Sequence, residues 1–204
     1  MSNCDCSIEV KNGQESRVLI ILLSINAFMF VVEITLGILS QSTALIADSL
    51  DMLADATVYG VGLYAVGKPA LSKIRAAHIS GIFQIVLGAF VSVDVLRRFI
   101  WGSEPESFLM ISVGMVALVA NVICLKLISK HRDGEVHMRA SWIFSKNDVI
   151  ANLGVIIGGV LVYALDSRHP DLFIGLAISI IVIRGGVHIL KDASEEKKQV
   201  APHT

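Results

Sequence analysis

The chain has 204 residues, of which 54% are hydrophobic and 17% charged, with a formal net charge of −1. Soluble domains average about 25% charged residues, so this composition belongs to an integral membrane protein. The balanced charge leaves no basic footprint for nucleic acid. Three cysteines, Cys4, Cys6 and Cys124, do not make a disulfide framework.

In chain order, six apolar stretches are each long enough to cross a bilayer, which takes about 20 residues. The spacing predicts helices over Val18–Leu39, Ala44–Val66, Ala76–Leu96, Phe108–Leu127, Ala140–Leu165 and Leu172–Leu190. The breakers between them are Gly67-Lys68-Pro69, Gly102 to Pro105, Asp133-Gly134 and Arg168-His169-Pro170. The first stretch, at about 22 residues with no small-x-small site after it, is too long for a cleavable signal peptide. Residues 1–16 read as an N-terminal cytoplasmic segment, 17–190 as one six-helix transport domain, and 191–204 as a charged, frayed tail with nothing folded after it. Twelve Lys and Arg residues fall in the segments on one side: Lys11, Arg17, Lys68, Lys73, Arg75, Lys126, Lys130, Arg132, Arg139, Lys191, Lys197 and Lys198. The other side has Arg97, Arg98 and Arg168. The excess marks the cytoplasmic side. The fold class expected is an all-α integral membrane protein of six transmembrane helices with both termini cytoplasmic.

The second helix is the informative one. Asp48, Asp51 and Asp55 interrupt an otherwise apolar run. Their spacing puts all three on one helix face. A carboxylate at mid-membrane costs roughly 2.5–3.5 kcal/mol on insertion scales, so three together imply access to water, protons or cations. At 1.5 Å per residue, Asp55 lies roughly 16 Å from the outer end and Asp148 of the fifth helix roughly 12 Å from the inner end. Both are thus near the midplane, with Asp51 about one turn outward. Glu33 of the first helix and Asp48 meet in the outer third. Two acidic levels result: a central one of Asp51, Asp55 and Asp148, and an outer one of Glu33 and Asp48, which would serve as a proton path. Carboxylate oxygens suit hard or borderline divalent cations. Asn152, four residues from Asp148 on its face, and neighbouring Asn147 are the candidates for a further oxygen ligand.

At these residues the chain resembles the cation diffusion facilitator family. The resemblance runs through Asn26, Phe30, Glu33, Gly37, Ser42, Ala44-Leu45, Asp48 and Asp51-x-x-x-Asp55, and through Pro170-Asp171 and Ile174-Gly175-Leu176 to Arg184. It implies export of a divalent metal from the cytoplasm in exchange for protons by a homodimer in the cell membrane, for a bacterium the inner membrane. Within the family the site takes His or Asp-x-x-x-Asp from the second helix and the same pattern from the fifth. Asp51, Asp55 and Asp148 match three of those positions. Phe144 stands in the fourth, and this departure leans the site away from strict zinc selectivity. The loop before the fifth helix has only His131 and His137, and set against the family the expectation is a short form lacking the cytoplasmic C-terminal domain. Asp51-x-x-Ala54-Asp55 is echoed by Asp148-x-x-Ala151-Asn152, an inverted-repeat pattern that favours Asn152 as the missing ligand.

The leading expectation is proton-coupled export of a divalent cation such as zinc, cobalt, cadmium, nickel, iron or manganese. The metal and protons are substrates, membrane lipid is the surrounding partner, and no resident cofactor is expected. The alternatives are a passive divalent-cation facilitator or channel, and a metal-sensing accessory subunit. No hydrolase or metalloprotease motif supports an enzyme.

Overall fold

A computed structural model describes residues 4–65, 70–130 and 136–200. Among these residues there are six α-helices and no strand: α1 Cys4–Leu39, α2 Thr43–Ala65, α3 Ala70–Trp101, α4 Ser107–Ser129, α5 Val136–Leu165 and α6 His169–Val200. Gly67-Lys68-Pro69, His131, Asp133-Gly134 and His203 lie outside the described residues, as do the side chains of Cys4, Cys6 and His137.

Several helices run past the apolar stretches that announced them. α1 begins at Cys4, not Val18, and α6 continues to Val200 where a frayed tail was expected. Hydropathy marks where apolar side chains stop; the helix goes on while propensity and contacts allow. From Lys191 to Val200 the stretch has three Lys, two Glu, one Gln and one Ala, all strong helix formers. It also packs: Ala193 is buried, and the Ser194 hydroxyl lies 3.4 Å from His78 Nε2 of α3.

Three turns gather at one end. Glu106 N–H donates to the Ser40 carbonyl at 2.9 Å, the Arg98 guanidinium to the Gln41 carbonyl, and Arg168 Nη2 to the Phe99 carbonyl at 3.4 Å. So α1, α3 and α5 run toward this end, and α2, α4 and α6 run away from it. α1 closes with a bond from Ser42 N–H to the Gly37 carbonyl at 3.0 Å and Gln41 at φ 50°, a left-handed cap. α3 closes at Gly102, φ 96°, where a Cβ would sit 2.7 Å from Arg168 Nη1.

Five helices are long and apolar enough to cross a membrane. The exception is α2, in which every stretch of 18 residues contains Asp48, Asp51 and Asp55. The outer surface is greasy: Phe28, Phe90, Trp101, Phe108 and Tyr163 are each more than 60% exposed. The charge is inside. Glu33, Asp48, Asp55 and Asp171 are at most 1% exposed. This inversion is what a lipid environment selects, because lipid rewards apolar exteriors and leaves polar groups to satisfy one another within.

α3 and α6 approach closely. A Cβ on Gly186 would stand 2.7 Å from the Gly81 carbonyl oxygen and 3.1 Å from Ile85 N, so backbone meets backbone there. Gly159 does the same for α5 against α4, with Ser107 O at 3.2 Å. These contacts leave α1, α2, α4 and α5 to enclose the acidic interior.

Candidate metal site

α2 and α5 run in opposite senses, so their facing residues step in opposite directions. Asp55 comes opposite Asp148, and Asp51 sits one turn of α2 toward the turn-bearing end. One carboxylate oxygen from each of Asp51, Asp55 and Asp148 lies within 4.8 Å of the others. All three residues are buried, at 6, 0 and 3% exposure. Asp55 and Asp148 are close enough to share a hydrogen bond. Asp55 Oδ1 and Asp148 Oδ2 have no partner. Among the described residues no Lys, Arg or His pairs with any of the three.

An ionised carboxylate only accepts hydrogen bonds. Only one hydroxyl, that of Tyr59 on Asp55 Oδ2, donates to the three, and the unpartnered Asp55 Oδ1 and Asp148 Oδ2 call for a proton or a cation between them. Oxygens about 2.0–2.6 Å from one ion lie within roughly 4–5 Å of each other, so the spacing fits a single divalent cation.

Asn152 does not join the trio in this arrangement. Its Nδ2 donates to Asp48 Oδ2 at 2.6 Å, and its Oδ1 accepts from Asn121 Nδ2 at 3.0 Å. The reason is direction: one turn beyond Asp148 on α5 is further toward the turns, where α2 presents Asp48. The echo of Asp51-x-x-x-Asp55 in α5 therefore does not carry Asn152 into the place of Asp55. Asn147 is half-buried and off the face shared by Ser145, Asp148 and Asn152. The Phe144 ring packs on α6, its Cε1 3.3 Å from where a Gly185 Cβ would stand.

The outer level is assembled from four helices. Glu33 of α1 lies against Asp48 of α2 within hydrogen-bonding reach, and Asn152 and Asn121 continue the network into α5 and α4. Neither Glu33 oxygen has a donor.

Sequence reasoning missed four participants. Tyr59 hydroxyl lies 3.0 Å from Asp55 Oδ2 and 3.0 Å from Ser145 Oγ of α5. Tyr59 extends the Asp51–Asp55 stripe by four more residues, a signal available in the sequence. Asn121 was legible as the one amide in the apolar run of α4. Asp171 was noted only as part of a family pattern. Its carboxylate accepts from Ser42 Oγ at 2.6 Å, Thr43 N at 2.7 Å and Ala44 N at 3.0 Å. It thus caps α2 from the start of α6, placing negative charge at a helix N-terminus.

Comparison with known proteins bears on this arrangement. The model of the cation efflux transmembrane domain matches residues 19–70 and 72–196. The cadmium, cobalt and zinc/H(+)-K(+) antiporter of Bacillus velezensis is 24% identical over 89% of this chain and 62% of its own length. The zinc transporter ZitB of Escherichia coli is 24% identical over 98% of this chain and 68% of its own. A vacuolar zinc transporter of Saccharomyces cerevisiae is 34% identical over 61% of this chain and 31% of its own length. The chain thus spans about two thirds of the length of the bacterial relatives it matches. With the family model covering nearly all of the six helices, the chain belongs to the cation efflux family of multi-pass membrane transporters.

Proposed function

We propose that this protein exports a divalent transition-metal cation from the cytoplasm in exchange for protons, with Asp51, Asp55 and Asp148 as the transported ion's ligands. The observation that carries the reading is the trio itself: three buried carboxylates converging within 4.8 Å with no basic partner among the described residues. In this reading all six helices span the membrane and both termini are cytoplasmic. The gathering of the α1–α2, α3–α4 and α5–α6 turns at one end supports that, as does the Lys and Arg excess at the other. The relatives' names support the cargo: zinc, cadmium and cobalt, with protons named for the antiporter.

The exchange follows from the donor set. A divalent ion and protons neutralise the same oxygens, so they compete for one site. Metal from the cytoplasm displaces protons, and protons from outside displace metal once helix movement turns the site outward. Glu33 and Asp48 lie on that outward path. With no imidazole among the three ligands, iron, manganese and cobalt join zinc and cadmium as candidates.

The test is flux in proteoliposomes with a set pH gradient, using an internal dye and a panel of divalent ions. Uphill transport that collapses when an ionophore dissipates the gradient is expected. Flux indifferent to the gradient would replace exchange with a passive facilitator, and metal binding without flux would leave an accessory subunit. Light scattering on the purified protein tests the homodimer that the resemblance implies.

A further inference from the structure

The interior changes character across the trio. Toward the three turns it is polar, with Glu33, Asp48, Asn121 and Asn152 all at most 1% exposed. Away from them it is an apolar plug: Leu19, Leu22, Tyr59, Cys124 and Ile128 form one buried cluster from α1, α2 and α4, with Trp142 of α5 packed against it. A hydrated ion cannot cross such a plug, so the side of the trio that the proposed function assigns to the cytoplasm is closed here.

One phenol stands in that plug with its polar end on the trio. A tyrosine hydroxyl has a single proton. Asp55 Oδ2, 3.0 Å away, can only accept when ionised, so Tyr59 donates to it. The Ser145 hydroxyl, also 3.0 Å from the phenol, then donates to the Tyr59 oxygen. The chain Ser145→Tyr59→Asp55 crosses from α5 to α2 one turn inward of the ligands. It occupies Asp55 Oδ2 and leaves Oδ1, which has no partner, for the trio. It also ties the two ligand-bearing helices together where an ion from the cytoplasm must pass between them.

We propose that Tyr59, with Ser145, is a positioning residue and latch: it orients Asp55 for the cation and holds the cytoplasmic side of the site shut. The idea rests on the proposed function for which side is cytoplasmic and for the cation at Asp55, whereas the closure itself is read without either metal or flux.

The plug contains its own reporter, since the Cys124 thiol is fully buried beside Tyr59. With Cys4→Ser and Cys6→Ser introduced, Cys124 is the one cysteine left in the full chain. Its alkylation by a membrane-impermeant maleimide is followed by mass spectrometry in inside-out and right-side-out vesicles, without added metal. Tyr59→Phe keeps the ring and removes the hydroxyl. It should raise the labelling rate about tenfold, equal to about 1.4 kcal/mol of closure, and only in inside-out vesicles. Ser145→Ala should raise it too, Ser145→Thr should restore the parental rate, and the Tyr59→Phe/Ser145→Ala pair should exceed neither single variant. A parental rate in Tyr59→Phe, labelling from the opposite side, or multiplying effects in the double variant would overturn the latch. Should Tyr59→Phe fail to fold, the Ser145→Ala and Ser145→Thr comparison decides alone. The readout needs no flux, so the latch and the exporter can fail separately.

Discussion

Replacing Asp148 by Asn distinguishes a cation site from a structural polar contact, because the two make opposite predictions for stability. The trio brings carboxylate oxygens within 4.8 Å of one another. At an effective dielectric constant of about 20, each ionised pair at that distance repels by about 3 kcal/mol. Asn is isosteric, removes one charge and can donate to Asp55. At a pH high enough to strip the protons from the empty site, the metal-free variant should therefore be more stable than the parent. A gain of about 1 kcal/mol would raise the thermal midpoint of a chain this size by about 2–4 °C. Metal binding should suffer. Truncating one side of a buried charged contact costs about 2–5 kcal/mol, so affinity should fall at least about thirtyfold. The assay is a thermal melt in detergent with and without metal, together with a calorimetric titration. The stabilising shift that metal gives the parent should shrink as the affinity falls. A lower midpoint in the metal-free variant together with unchanged affinity would show that Asp148 is a packing residue, and the assignment would fall.

The other expectations concern what holds the trio in place. Asp171→Ala orphans the buried donors of Ser42, Thr43 and Ala44, each costing about 1–3 kcal/mol, and should lower the midpoint by at least about 6 °C; an unshifted melt would remove its capping role. Gly186→Ala puts a methyl 2.7 Å from the Gly81 carbonyl and should cost about 1–3 kcal/mol by parting α3 from α6, read in the same melt. Asn152→Ala should change the affinity of the central site by less than about threefold, because its carbonyl oxygen already serves Asn121; a larger loss in the titration would return Asn152 to the ligand set. Phe144→His brings imidazole within one turn of Asp148 and should shift the competitive ranking of metals toward zinc; an unchanged ranking would mean that the ring stays on α6 beside Gly185.

Much of the fold could be read because lipid imposes simple rules. Apolar runs located all six helices, and one-face spacing put Asp48, Asp51 and Asp55 on a common stripe. Depth arithmetic alone brought Asp148 to the level of Asp55. What it could not supply was azimuth, the direction in which each side chain leaves its helix. Asn152 shares a face with Asp148, yet antiparallel stepping delivers it to Asp48. Tyr59 is counted as apolar by composition, and nothing in its neighbours along the chain shows that its hydroxyl meets Ser145, 86 residues away. Asp171 is further from its partners still, 127 to 129 residues. Helix ends failed for a different reason. Hydropathy reports the membrane boundary, whereas Cys4–Arg17 and Lys191–Val200 stay helical through backbone bonding and propensity.

α2 is the element on which these observations converge. It is as long as α4, 23 residues each, but its three aspartates would make it costly to leave in lipid on its own. The structure surrounds it. Ala44, Leu45, Ala47, Met52, Ala54 and Tyr59 are all at most 2% exposed, so apolar positions are covered along with the acidic stripe. Polar ties hold it at three levels: Asp171 at its N-terminus, Asn152 at Asp48, and Ser145 through Tyr59 at Asp55. The first tie comes from α6 and the other two from α5. A displacement of α5 against α2 would thus strain the links at Asp48 and Asp55 while leaving the anchored N-terminus intact. Asp171, by contrast, is saturated by backbone and hydroxyl donors of Ser42, Thr43 and Ala44, so it fixes the end of α2 about which such strain would act.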